Sequence, residues 1–127
     1  MNSNTFPSRD VFLAEEYRRA ADALDEQNFE EAWHHLERAH VVAQDRWGPH
    51  CVSHWRMLEL AWRTRDWREV FGQIFRLFLA PVGNITGRLP IGNSGRSNVS
   101  AFARMEIEPE ISGLLGQSPA QDLPASK

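Results

Sequence analysis

Residues 28–38 and 66–76 repeat one another at an offset of 38 positions, and that self-similarity restricts the chain to a narrow set of architectures. Asn28-Phe29-Glu30-Glu31-Ala32-Trp33 aligns with Asp66-Trp67-Arg68-Glu69-Val70-Phe71, and Leu36 and Arg38 align with Ile74 and Arg76. The match extends backward, with Tyr17, Ala20 and Leu24 corresponding to Trp55, Leu58 and Trp62. Apolar residues in both copies recur at helical spacing, so the sequence predicts an all-α protein of two stacked helical hairpins, close in period to tetratricopeptide-like repeats. Two copies are fewer than the three that a free-standing array usually needs. The C-terminal segment is therefore expected to cap the stack, or the protein to pair with a second copy.

The element boundaries follow from caps and breakers. Leu13, Tyr17, Ala20, Ala21 and Leu24 mark a helix over about residues 9–26. Asn28, with Glu31 three residues on, has the pattern of a capping box opening a second helix over 29–44, whose stripe is Phe29, Ala32, Trp33, Leu36, Ala39, His40 and Ala43. Pro49 suits a first helical position, which predicts a third helix over 49–64 with the stripe Cys51, Trp55, Leu58 and Trp62. A fourth, over 67–80, presents Trp67, Val70, Phe71, Ile74, Leu77 and Phe78, and Pro81 and Gly83 are expected to stop it at Ala80. The breakers between Pro81 and Ser100 argue against any regular element there. Residues 81–116 read as an ordered, irregular wrap that completes a single domain over 1–116, and 117–127 as a disordered tail.

Composition excludes some functions. With 127 residues the chain can bury a core unaided. Its net charge is -3 and its basic residues are interleaved with acidic ones, so no stripe forms for nucleic acid. No apolar run approaches the roughly 18 residues of a membrane span, the N-terminus is polar, and Cys51 is the single cysteine; the chain reads as cytoplasmic, away from any membrane.

The chemistry gathers in one stretch. All five histidines, His34, His35, His40, His50 and His54, fall within 21 residues. His50 and His54 stand four apart, one above the other on a helix face. The short loop between the second and third helices makes them antiparallel neighbours, and at ~1.5 Å per residue His40 and His54 lie near the same level on either side of it. His40, His50 and His54 thus form a candidate metal site for Cu, Zn or Ni, with His35 and Met57 as further candidate ligands; imidazole and thioether ligands suit these ions better than Mg or Ca. The repeat isolates these positions, because His35 aligns with Gln73, His40 with Phe78, His50 with Phe12 and His54 with Glu16. The bland alternative is a set of hydrogen-bonded core histidines, and for His34 surface exposure is the default. No nucleophile or acid–base pair accompanies the cluster, so an enzyme is not expected. The competing function is a protein–protein interaction module without metal, its groove lined by Trp33, Trp55 and Arg38.

The string His35-Leu36-Glu37-Arg38-Ala39-His40, then His50-x3-His54-x2-Met57-Leu58, then Gly87-Arg88-x-Pro90-x-Gly92-Asn93-Ser94-Gly95 and Asn98-Val99-Ser100, resembles a small bacterial family known as a domain of unknown function. The resemblance covers about residues 12–110. Members tend to be encoded near heavy-metal resistance and efflux genes, which implies a role in metal homeostasis or resistance and brings no activity with it. Ala43 and Arg96 stand where the family pattern has a glycine and a small residue.

Overall fold

Two connections of one shape join the helices in pairs. In the first, Gln27 adopts a left-handed φ of 58°, and in the second Arg65, 38 positions on, adopts 55°. The following residue closes the turn in each case, through Asn28 N–H to Ala23 O at 2.8 Å and Asp66 N–H to Ala61 O at 3.0 Å. Its side chain then caps the next helix: Asn28 Oδ1 accepts from Glu31 N–H and Asp66 Oδ1 from Glu69 N–H, both at 3.2 Å. A left-handed residue costs a non-glycine about 1–2 kcal/mol, which the backbone bonds and the following cap offset. Half of the expected capping box forms, because Glu31 turns its carboxylate to His35 instead of to the Asn28 backbone.

The structure, a computed structural model, describes residues 8–87, 93–97 and 105–116. Among these are five helices and no strand: α1 (Arg9–Asp25), α2 (Phe29–Ala43), α3 (Trp47–Arg63), α4 (Trp67–Thr86) and α5 (Pro109–Leu115). The expected tail at 117–127, and the parts of the expected wrap at 88–92 and 98–104, lie outside the described residues. α1 packs on α2, α3 on α4 and α2 on α3, while α5 docks on α2. No helix among the described residues is long and apolar enough to cross a membrane.

Three boundaries differ from expectation. α3 begins at Trp47, with Pro49 third in the helix, where its missing N–H is one that no helix bond would use. α4 runs through Pro81 and Gly83 to Thr86 and stops at Gly87, whose left-handed φ of 70° ends it. Tertiary contacts sustain that last turn and a half against the local breakers: Asn84 bonds both His50 and the Gln44 carbonyl. α5 is a short regular element within the expected irregular wrap, started by Pro109.

The apolar core has two parts. One gathers Ala20, Ala23, Trp33, Leu36, Met57, Leu60 and Val70 from α1 to α4. The other joins Phe12, Leu13, Ala39, Val42 and Ala43 to Ile107 and Ile111, so the C-terminal segment closes one end of the core. The Arg38 guanidinium reinforces that closure from α2, facing Glu16, Glu108 and Glu110 at 3.3, 3.5 and 3.0 Å.

The orientation of α3 and α4 departs from the sequence reading in the aromatic residues, although Val70 and Leu58 of the expected stripes do pack against the core. Trp55, Trp62, Trp67, Phe71, Ile74 and Phe78, expected against the core, are exposed, with Phe78 at 77%. The buried face of α3 instead carries His50, Ser53, His54, Met57, Leu60 and Ala61, and that of α4 carries Glu69, Val70, Gln73, Arg76 and Ala80. Periodicity locates a stripe without saying which way it points, and here mutually bonded polar groups occupy the inside.

Candidate metal centre

α2 and α3 bring three histidines to one point. His40 Nε2 lies 3.1 Å from His50 Nε2, which lies 3.2 Å from His54 Nε2, and the ring centroids are 4.7–4.9 Å apart. All three rings are buried, at 2–5% exposure. They form the group of His, Cys and acidic side chains among the described residues whose donor atoms could hold one metal ion.

The far side of each ring settles which nitrogen carries the proton. His40 Nδ1 faces the backbone carbonyl of Asn93 at 2.6 Å, His50 Nδ1 faces Asn84 Oδ1 at 2.9 Å, and His54 Nδ1 faces Gln73 Oε1 at 2.8 Å. The two amides cannot be turned over. Asn84 Nδ2 donates to the Gln44 carbonyl, and Gln73 Nε2 donates to Glu69 Oε1 and the Gly95 carbonyl, all of them acceptors. Every Nδ1 therefore donates its proton outward, and a neutral imidazole has no second one to give. Three Nε2 lone pairs are left converging on a single point.

Electrostatics keeps the rings neutral. Burial holds His40 well below the ordinary histidine range, aided by the fields of His54 and His50. Burial lowers His50, and pushes His54 down to about 3 with contributions from His50 and Arg76. Neutral imidazole is the form that binds a metal. A zinc ion with Zn–N bonds of about 2.0–2.1 Å needs ligand nitrogens about 3.3 Å apart at the tetrahedral angle, close to the two separations that His50 Nε2 makes with His40 and His54. The residues fit the ion, and each ligand already has the outer hydrogen-bond partner that fixes a metal-bound imidazole.

A loop completes the enclosure. Asn93–Ser97 lies over His40 and turns two carbonyl groups inward, Asn93 O accepting from His40 and Gly95 O from Gln73 and Arg76, while Ser97 N–H donates to Glu69 Oε1. Gly95 has φ +81°, and a Cβ there would stand 2.6 Å from the His40 ring. Gly72 lets the loop meet α4 in the same way, since a Cβ on it would be 2.3 Å from Ser97 Cβ.

The other sequence candidates lie elsewhere. His35 turns its two ring nitrogens to Glu16 and Glu31, and the contact with Glu16 ties α2 to α1. Met57 is fully buried in the apolar cluster beside Trp33 and Leu60. His34 is exposed, and Cys51 is half-buried with its thiol raised by burial. The groove expected from Trp33, Trp55 and Arg38 does not form: Trp33 is buried beneath the Arg96 guanidinium, Arg38 is held by carboxylates, and Trp55 faces away with the exposed side of α3. Gln73, Asn84, Asn93 and Gly95 went unread as parts of the site. The 38-residue offset pairs Gln73 with His35, and the Gly-Asn-Ser-Gly string marks the loop, but neither signal names a partner ring.

No curated protein and no solved structure matches the chain. The family model described as "Protein of unknown function (DUF3703)" matches residues 8–115. By that match, which covers all five helices among the described residues and all three histidines, the chain belongs to the DUF3703 family.

Proposed function

We propose that this protein binds one transition-metal ion, Cu, Zn or Ni, through the Nε2 atoms of His40, His50 and His54. The observation that carries this reading is the tautomer: three acceptor-only oxygens hold the Nδ1 protons, leaving three buried lone pairs that repel one another until a cation joins them. A set of merely structural histidines would relieve that repulsion by bonding Nε2 elsewhere. Three protein ligands leave coordination open for a small exchangeable ligand, a donor set suited to a buffer or carrier. The genomic tendency implied by the resemblance agrees with a role in cytoplasmic metal homeostasis or resistance.

The scaffold for this site is two stacked hairpins of the tetratricopeptide type, α1–α2 and α3–α4. The identical left-handed turns and caps at the 38-residue offset support that reading. Metal binding is tested by thermal unfolding of chelator-treated, untagged protein. Adding Zn(II), Cu(II) or Ni(II) should raise the Tm by mass action, and His54→Ala should remove the rise. No shift with any of these ions would exclude the proposal.

A further inference from the structure

The outer face of α4 shows a second regularity. Phe71, Phe75, Phe78, Val82 and Ile85 are all exposed and follow one another at intervals of four, three, four and three residues. That is the seam of a helix that packs lengthwise against another helix. Between Phe71 and Thr86 the one charged residue is Arg76, which is buried on the opposite face. Ile74 and, across a groove shared with α3, Trp55 and Trp62 widen the apolar surface.

We propose that this face is the interface of a homodimer, with α4 packed antiparallel on α4 of a second copy about a two-fold axis near Phe78. Its area carries the choice of occupant. With a Phe or Trp side chain contributing 150–250 Å² when fully exposed, the α4 residues present on the order of 700 Å² and the two tryptophans bring the face to about 1,000 Å². A monomer rarely leaves so large a patch open, and a standard interface takes about 800 Å² from each partner. The seam is also self-complementary. In the antiparallel register Phe71 meets Ile85 of the second copy, Phe75 meets Val82 and Phe78 meets Phe78, so large side chains oppose branched ones on either side of a central phenylalanine pair, and the α4 seam itself buries no charge. Arg63 and Glu59 line the groove beside the two tryptophans, a charge pair of opposite sign instead of the one-signed basic flank that an anionic membrane surface would call for. This inference is independent of the metal reading, since it uses none of the residues around the three histidines.

Sedimentation equilibrium of the full-length, metal-free chain between about 1 and 200 µM tests it. The expected mass is twice the 14.6 kDa of one chain. Phe78→Glu, which sets two carboxylates against each other at the axis, should raise the dimer dissociation constant at least about 100-fold with an unchanged circular dichroism spectrum. Phe78→Leu should stay dimeric, as should Val11→Glu on the exposed face of α1. A mass of 14.6 kDa throughout the range, whether because another segment of the chain covers the face or because it docks on a lipid surface, would overturn the proposal. So would a Phe78→Glu variant that remains dimeric.

Discussion

Gln73 Oε1 accepts from His54 Nδ1 at 2.8 Å, and this is the contact that Glu16 and His35 make 38 residues earlier with the chemistry exchanged between helices. In the first hairpin α1 supplies the acid and α2 the imidazole; in the second α3 supplies the imidazole and α4 an amide. The substitution matters because a carboxylate can also accept from a protonated ring and draw it toward the charged state. An amide oxygen accepts the Nδ1 proton without adding a charge, so His54 stays neutral with Nε2 free for a ligand.

Gln73→Ala should therefore weaken metal binding while leaving all three histidines present. The loss of an outer hydrogen-bond partner commonly costs 10–100-fold in affinity, which competition against a chromophoric chelator would read. An unchanged affinity would mean that His54 is oriented by packing alone.

Gly95→Ala is expected to be costly for two reasons that act together. The backbone is left-handed, at φ +81°, and the new methyl group would collide with the His40 ring. We expect a loss of about 1–3 kcal/mol in urea denaturation of the metal-free protein, with weaker metal binding as His40 is displaced. Wild-type behaviour would show that the Asn93–Ser97 loop does not bear on His40 in solution.

Acid should destabilise the metal-free protein earlier than its carboxylates alone would allow. His40, His50 and His54 have folded-state pKa values below the unfolded value of about 6.5, His54 near 3, because burial penalises their charged form. The unfolded chain then binds more protons, so their contribution is fully present above about pH 6.5 and is lost as pH falls toward the folded values. Each can contribute a slope of up to about 1.4 kcal/mol per pH unit. Urea midpoints between about pH 6.5 and 5 read this effect above the range of Glu15, lowered to about 2 by Arg18 and Arg19, while Glu37, raised by burial, works in the opposite direction, so the histidine slope is taken as the difference from a Glu37→Gln control. A flat profile across that interval would contradict the buried neutral cluster.

The repeat itself can be checked through its caps. Asn28→Ala and Asp66→Ala should each cost about 1 kcal/mol, and the double variant should lose their sum, because each cap bonds within its own turn and the two share no partner.

Much of this was legible from the sequence through local signals. Asn28, Asp66 and the 38-residue offset announced the four main helices, and the short loop between α2 and α3 put His40 opposite His50 and His54. What escaped was set by tertiary contact. α4 outlasts Pro81 because Asn84 is gripped by His50 and Gln44, an arrangement 34–40 residues apart in sequence. The aromatic residues of α3 and α4 were placed inward because such residues usually seek the core, whereas on α4 Gln73, Glu69 and Arg76 occupy it around the histidines. The Asn93–Ser97 loop carries no periodicity, so nothing local could show that its carbonyls serve His40.

The central claim is that His40, His50 and His54 jointly hold one metal ion. Its most direct test is the metal content and isothermal titration of untagged wild-type protein beside His40→Ala, His50→Ala and His54→Ala, each first shown to fold by circular dichroism. The wild type should bind one equivalent of Zn, Cu or Ni, and every variant should lose binding by at least about 100-fold. A wild type that takes up no metal, or single variants that bind as tightly as it does, would contradict it.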